Sequence, residues 1–129
     1  MQFKFKLQNP NSKKRFEESQ KVREKYPDRI PIIIEKDPNS QIKEIDRTKF
    51  LVPNDLTAQH LIFIIRKRLE LSKEEAIFML VDGKTSIAGE TALQEIYEKF
   101  KDKQDGYLYI VYTSQLIWGG FPNTGTIKL

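Results

Sequence analysis

The residue types that catalyse reactions or bind metals are scarce in this chain of 129 residues. It contains no cysteine, and His60 is its only histidine. A disulfide framework, a cysteine-ligated zinc or iron–sulfur site and a cysteine nucleophile are therefore excluded for this chain. A serine triad would have to be built on His60, and a multi-histidine metal site cannot be built. The sequence thus predicts no catalytic residue, no metal and no cofactor, and we expect a protein that is not an enzyme.

Gly83, Lys84 and Thr85 match the end of a phosphate-binding loop. The full pattern needs a glycine five positions before Gly83, where the backbone must cradle phosphate, and that position is Phe78. The match therefore fails. Asp82 followed by Gly83 is instead typical of a type I′ turn. We predict a tight hairpin at this point rather than a nucleotide site.

Charge is concentrated near the N-terminus. Residues 1–26 contain eight basic and three acidic residues, a net charge of +5, whereas the other residues sum to −1. A basic segment can contact nucleic acid, anionic lipid or an acidic surface such as that of tubulin, or it can simply be solvated. The acidic residues interleave with the basic ones, which argues against nucleic acid. Contact with lipid, contact with an acidic protein surface and plain solvation all stay open.

Length and hydropathy indicate one domain without a membrane span. A chain of 129 residues can bury a core of its own but is short for two domains. No apolar run approaches the roughly 18 residues of a transmembrane helix, and MQFKFKLQNP lacks the apolar stretch of a signal peptide. We therefore expect a cytoplasmic protein.

Hydrophobic periodicity and turn signals predict the elements that would position a site. They are a helix from Asn11 or Ser12 to Tyr26, strands at 30–36 and 49–53, a helix over 57–69, a strand at 77–81, a short helix over 91–100 and a strand at 107–113. Residues 3–7 alternate at strand period, although so short a stretch could equally be a helical turn. Thr91 and Gln94 form a capping-box pattern, and His60 is interpreted as a helix-start or surface residue.

These elements predict an α+β protein in which a helix crosses one face of a small sheet. The strands at 30–36 and 49–53 form a hairpin, and Pro53 places the second of them at an edge or a strand end. The strand at 107–113 is apolar on both sides, which places it centrally. The β-grasp, the ubiquitin-like architecture, is the economical arrangement of these elements.

The sheet carries more apolar surface than one helix can cover. Ile30, Ile32 and Ile34 share one face, and Pro31 and Ile33 share the other. The basic helix, through Val22 and Tyr26, is expected to cover part of that second face. The residues that remain predict two pockets: one lined by Pro31, Ile33, Leu51 and Tyr107, the other by Phe50, Val52, Pro53, Leu56, Leu61 and Ile64.

Four basic residues, Arg29, Arg47, Lys49 and Arg68, surround both pockets. An edge strand between two apolar pockets with a basic rim is suited to capturing an extended acidic peptide by strand addition. The alternative is that the same side chains only complete a larger core around the basic helix.

Several segments closely resemble the autophagy-related protein eight family, the ubiquitin-like modifiers of the GABARAP and light-chain-three type. The segments are REKYPDRIPIIIEK, TKFLVPNDLT, IRKRLEL, IFMLVDG and DGYLYIVYTSQ, and the match runs from about Phe3 to Gly119. The first half is more similar to the GABARAP branch and the second to the light-chain-three branch, so the subfamily stays open.

The resemblance implies a ubiquitin-like β-grasp with two additional N-terminal helices, the first containing residues 3–7. It implies an aromatic pocket that takes the first residue of a Trp/Phe/Tyr-x-x-Leu/Ile/Val motif in cargo receptors and adaptors, formed by Glu18, Val22, Pro31, Ile33, Lys49, Leu51 and Tyr107. An aliphatic pocket that takes the last residue is formed by Phe50, Val52, Pro53, Leu56, Leu61 and Ile64. Acidic residues flanking such motifs would meet Arg29, Arg47, Lys49 and Arg68.

Proteins of this family are cut after a C-terminal glycine by a cysteine protease, passed as thioesters through activating and conjugating enzymes, and joined to phosphatidylethanolamine on autophagosomal membranes. Trp118 followed by Gly119 is the matching pair, with Gly120 as the alternative cleavage point. The resemblance therefore implies an N-terminal helical extension at 1–27, a core and C-terminal arm at 28–119, and a tail at 120–129 that is removed. The alternative function is that of a ubiquitin-like peptide-binding adaptor that is never conjugated.

Overall fold

The computed structural model describes residues 1–115. Within them the chain forms α1 (Lys4–Gln8), α2 (Ser12–Lys25), β1 (Arg29–Lys36), β2 (Lys49–Pro53), α3 (Ala58–Leu69), β3 (Phe78–Val81), β4 (Thr85–Ile87), α4 (Leu93–Phe100) and β5 (Leu108–Thr113). The strand order is β2-β1-β5-β3-β4. Strands β1 and β5 are parallel and the other neighbours are antiparallel. This mixed sheet confirms the predicted ubiquitin-like α+β fold.

The predicted strand positions agree with the sheet, with one omission. β5 is the central strand and β2 is an edge strand, as predicted. Asp82 and Gly83 both have positive φ, 56° and 68°, as a type I′ turn requires. The turn leads into β4, a three-residue strand that the sequence pattern did not identify because its sequence, TSI, is too short to show a period.

Apolar side chains cover both faces of the sheet. Ile30, Ile32 and Ile34 lie in the main core beneath α3. On the opposite face, Ile33 packs with Phe5 of α1 and Tyr107 in a second, smaller cluster. The alternation along β1 therefore sends successive isoleucines into two different cores.

The N-terminal segment is helical, and the strand period of residues 3–7 was misleading. The backbone amides of Lys4 and Phe5 donate to the two carboxylate oxygens of Glu35, at 2.8 and 2.9 Å, which fixes α1 against β1. Helix α2 begins as predicted, because the Asn11 side chain accepts from the amides of two residues in its first turn. Tyr26, which was expected to cover part of the second face, is 38% exposed and is not among the residues of either apolar cluster.

The starts of α3 and α4 differ from each other in how their free amides are satisfied. Thr57 and His60 form a reciprocal capping box at α3, which confirms His60 as a helix-start residue. The capping box predicted for Thr91 and Gln94 is wrong: α4 begins at Leu93 without a side-chain cap. The Leu93 amide instead donates to a backbone carbonyl in the segment before α3, at 2.8 Å. A tertiary backbone contact has replaced the local cap.

Candidate functional site

Strand β2 leaves one of its hydrogen-bonding edges unpaired by any strand within residues 1–115. The Ile34 amide donates to the Thr48 carbonyl at 2.8 Å, which sets the phase of the β1–β2 ladder. In an antiparallel pair, hydrogen-bonded and non-hydrogen-bonded positions alternate. The backbone N–H and C=O of Phe50 therefore point toward β1, whereas those of Leu51 point outward. Pro31 lies opposite Leu51 at a position that needs no amide donor. The outward groups of β2 can therefore pair with an added strand.

A cleft of about 400 Å³ lies between this edge and α2. We call it the β2 cleft; its lining residues are Glu18, Val22, Pro31, Arg47, Lys49, Phe50, Leu51 and Tyr107. Six of the seven residues expected in the aromatic pocket therefore lie together. The exception is Ile33, which is fully buried against Phe5 and Tyr107 and so lies in the second core rather than on the cleft surface.

The mouth of the β2 cleft carries an ion pair. Lys49 Nζ lies 3.1 Å from Glu18 Oε1, and the Tyr107 hydroxyl donates to the same carboxylate oxygen. Burial opposes ionisation of Glu18, but the hydrogen bonds from Tyr107 and Lys49 outweigh it and lower its pKa. Burial, together with the hydrogen bond to Glu18, raises the pKa of Tyr107. The carboxylate is thus held charged and the phenol held neutral as its donor.

The lysine of this pair is available to an acidic ligand. The side chains of Lys49 and Glu18 are each nearly half exposed, at 48% and 47%. Ion pairs in such positions contribute at most about 1 kcal/mol, so the exchange of one carboxylate for another costs little. A peptide carboxylate at the cleft can therefore compete for Lys49.

Three of the six residues predicted for the aliphatic pocket lie in the main core. Phe50, Val52 and Leu61 belong to the main core, and Leu61 is fully buried, so it cannot touch a ligand without rearrangement. Leu56 and Ile64 are only partly buried and pack on that core. Pro53 is exposed at the end of β2. The accessible part of this surface is therefore formed by Pro53, Leu56 and Ile64. The other three predicted residues, Phe50, Val52 and Leu61, belong to the main core.

The basic rim is ordered by contacts within the protein. Arg68 Nε donates to Asp46 Oδ1 at 2.8 Å, and the guanidinium groups of Arg68 and Arg47 lie 5.6 and 5.8 Å from the centre of the Phe50 ring. Arg29 lies opposite Pro53 in the ladder, at the far end of the edge from Lys49. The rim therefore flanks β2 at both ends.

Two supporting residues escaped sequence reasoning. Phe5 meets Tyr107 edge-to-face, with ring centres 5.3 Å apart, and the Lys49 ammonium lies 5.5 Å from the centre of the Phe5 ring. Asp105 is fully buried and accepts from Arg15 Nε at 2.7 Å, from the Tyr109 hydroxyl at 2.6 Å and from the Tyr107 amide at 2.9 Å. The only sequence signal for Asp105 was an acidic residue in the turn shortly before an apolar strand. Asp105 thus connects α2 to Tyr107, the cleft residue that directly precedes β5.

Trp118, Gly119, Gly120 and the tail 120–129 lie outside the described residues, so the structure gives no account of the predicted processing site. Across residues 1–115 there is no cluster of three or more acidic or histidine side chains that could hold a metal ion. The same stretch contains no helix long and apolar enough to cross a membrane.

The fold defines this protein as a ubiquitin-like α+β protein with two extra helices packed at its N-terminus. A family model described as "Autophagy protein Atg8 ubiquitin like" matches residues 14–119. The chain belongs to this Atg8 family, which confirms the family predicted from the sequence. It is accordingly a ubiquitin-like modifier of autophagy, in a family whose role includes lipid conjugation and membrane association rather than catalysis.

Individual relatives agree with this assignment over most of their length. Autophagy-related protein 8e of Arabidopsis thaliana is 46% identical over 115 residues, which cover 89% of this chain and 92% of the relative. Autophagy-related protein 8 of Colletotrichum lindemuthianum is 46% identical over 123 residues, covering 94% and 98%. The crystal structure of Trypanosoma brucei ATG8 has a TM-score of 0.80 to this fold at 42% identity, covering 88% of this chain and 95% of that one.

Proposed function

We propose that this modifier captures acidic Trp/Phe/Tyr-x-x-Leu/Ile/Val motifs of cargo receptors and adaptors along β2. The observation that carries the proposal is the unpaired β2 edge lying between the β2 cleft and the exposed surface of Pro53, Leu56 and Ile64. In an extended peptide, successive residues advance by about 3.3 Å, so the first and fourth residues of the motif lie about 10 Å apart. An aromatic side chain enters the β2 cleft while the aliphatic one rests on the second surface.

Charge complements this geometry. Lys49 and Arg47 line the β2 cleft itself, and Arg68 lies beside it over the Phe50 ring. Acidic residues flanking the motif meet these cations, with Arg29 serving the far end of the edge. Such rim contacts affect the association rate more than the affinity. They also weaken as the salt concentration rises.

The second part of the proposal concerns the C-terminus. A cysteine protease cuts after Gly119, and activating and conjugating enzymes carry the new C-terminal acyl group as a thioester. The amine of phosphatidylethanolamine then displaces the enzyme's thiol and forms an amide. The protein is then cytoplasmic before conjugation and bound to the autophagosomal membrane after it. In this organisation residues 1–27 are a helical extension, 28–119 the core and arm, and 120–129 a removed tail. Support comes from membership of the family and from the Trp118-Gly119 pair.

Truncation of Leu51 is expected to weaken peptide binding. Titration of an acidic Trp-x-x-Leu peptide against Leu51→Ala should show about a tenfold loss of affinity, because a half-buried apolar wall of the cleft is lost. Phe63→Ala is the matched control, since Phe63 is an exposed apolar residue on α3, 57% accessible. Equal affinity for Leu51→Ala and wild type would contradict the proposed cleft.

Removal of the Arg68 guanidinium is expected to cost about threefold in affinity, and the loss should vanish at high salt because the contact is exposed. Lys67→Ala removes the same charge from the neighbouring position, where the ammonium lies 5.2 Å from the centre of the Phe63 ring. Titration of both variants at two salt concentrations separates a local contact from a general charge effect. An identical loss in both would assign the effect to net charge alone.

Cleavage by the processing protease is expected to release residues 120–129 and nothing else. Incubation with the protease followed by intact-mass measurement checks the site, since a cut after Gly120 leaves one additional glycine on the product. A product ending at any residue other than Gly119 would overturn this assignment.

A further inference from the structure

The turn after β1 meets the chain where it leaves β5. The Asp37 amide donates to the Tyr112 carbonyl at 2.9 Å, and the Ser40 amide donates back to the Asp37 carbonyl at 3.0 Å. The Lys36 ammonium donates to the carbonyls of Asp37 and Ser40, at 3.0 and 2.8 Å. Residues 37–40 thus form a closed turn that is hydrogen-bonded to β5, the central strand of the sheet.

The Ser40 hydroxyl joins this turn to the residue after β5. Its oxygen accepts from the backbone amides of Ser114 and Ile42, at 3.1 and 3.2 Å, and lies 2.8 Å from Ser114 Oγ. A hydroxyl has two lone pairs and one proton, so with both lone pairs engaged the proton is left for Ser114 Oγ. All the hydrogen-bonding capacity of Ser40 is therefore used at this junction.

The Thr113 hydroxyl makes further contacts at the junction between the turn and the end of β5. Thr113 is buried at 1% exposure, and its hydroxyl donates to the Gln115 carbonyl at 3.1 Å. The same hydroxyl lies 3.5 Å from a carboxylate oxygen of Asp37. The chain consequently leaves the sheet with its backbone held at two successive residues, Ser114 and Gln115.

The position of this junction matters because Gly119 follows so closely. Gly119 lies five positions after Ser114 in the sequence, and a chain extends by at most about 3.6 Å per residue. Gly119 therefore cannot lie further than about 18 Å from Ser114. The point and direction at which the chain leaves β5 limit where the reacting glycine can be delivered.

We propose that Ser40 is a positioning residue for the enzymes that act at Gly119, because it fixes the chain at Ser114. The inference rests on the proposed processing at the C-terminus and assigns to the β1–β2 connection a role in it. Loss of the hydroxyl would leave the Ser114 amide without its acceptor and remove a contact that fixes the direction in which the chain leaves β5. Orientation effects of this kind act on the rate of reaction more than on stability.

Ser40→Ala is expected to lower kcat for cleavage by the processing protease about tenfold while KM changes little, since the folded body presented to the protease is unchanged. Ser40→Thr, which keeps the hydroxyl, should restore most of the rate. Asn39→Ala is the control, because Asn39 is exposed and contributes its backbone amide to the turn. Amide hydrogen exchange at Ser114 should quicken in Ser40→Ala alone.

The affinity for the Trp-x-x-Leu peptide and the unfolding midpoint are measured for the same variants, to separate a local effect of Ser40→Ala from a general one. A Ser40→Ala variant cleaved at the wild-type rate overturns the inference, as does a lower rate that Ser40→Thr does not restore. A slower rate accompanied by equally weakened peptide binding also overturns it, because the effect is then general. A wild-type protein cut at another bond refutes the proposed Gly119 site, yet slower cleavage of Ser40→Ala at that bond still supports the anchor. A wild type that is not cut at all overturns both.

Discussion

Gly119→Ala is expected to abolish the lipid-linked form of the protein in cells. A cleavage and transfer site must pass through narrow enzyme active sites, and glycine alone offers a backbone without a side chain at that point. The added methyl group hinders both protease cleavage and the later thioester steps. The processed and lipid-linked species should therefore disappear from a gel-mobility and intact-mass assay, and punctate membrane staining should become diffuse.

Two comparisons make this result specific. Gly120→Ala should still be lipidated if the cut follows Gly119, and should fail if the cut follows Gly120. Peptide affinity at the β2 edge should be unchanged in Gly119→Ala, because that edge belongs to the folded body. A wild-type protein that is never lipid-linked, yet binds the peptide, would support the unconjugated adaptor instead. Lipidation of Gly119→Ala at the wild-type level would contradict Gly119 as the acceptor.

The strands of the fold were predictable because their signal is local. Apolar runs predict β1 and β5 as strands, and the run in β5, which is apolar on both sides, also predicts its central position. The proline that ends β2 predicts an edge position for that strand. The alternation Ile32, Ile33, Ile34 also predicted correctly that two faces are apolar. It did not predict that α1 covers the second face through Phe5, since that depends on tertiary contacts.

Contacts between residues distant in sequence account for the rest. Phe5 reaches the second core only because α1 is held by Glu35, 30 residues away. Ile33 was predicted as a pocket wall because its face was expected to be partly open, and Phe5 closes it. The α4 cap failed for the same reason, since a backbone carbonyl from elsewhere replaced the local side chain. Short polar patterns are reliable only where no tertiary partner competes.

Arg15→Ala is expected to be the most destabilising single change in the N-terminal extension, costing about 3–5 kcal/mol in the free energy of unfolding. Arg15 is 6% exposed and Asp105 is fully buried, so truncation leaves a carboxylate unpaired in the interior. The Arg15 guanidinium also donates to the Asn9 carbonyl at 2.6 Å, which fixes the connection between α1 and α2. Urea unfolding with a two-state fit measures the loss.

The control is Lys14→Ala, which removes the same charge from the exposed neighbouring position on α2. Its effect should stay within about 0.5 kcal/mol, as is usual for surface positions. An Arg15→Met, Asp105→Asn double variant should cost less than the sum of its single changes, because the unpaired charge is removed with its partner. An Arg15→Ala variant as stable as Lys14→Ala would contradict this account of the buried pair.

The buried pair should also affect the β2 cleft. Helix α2 carries Glu18 and Val22 in the cleft wall, and the same helix is anchored by Arg15 and by the Ser19 hydroxyl, which donates to the Asp105 carbonyl. Loosening the anchor lets that wall move while β2 and its backbone edge stay in the sheet. Arg15→Ala should therefore weaken binding of the Trp-x-x-Leu peptide through its aromatic residue. Substituting that tryptophan by alanine should reduce affinity less in the variant than in the wild type.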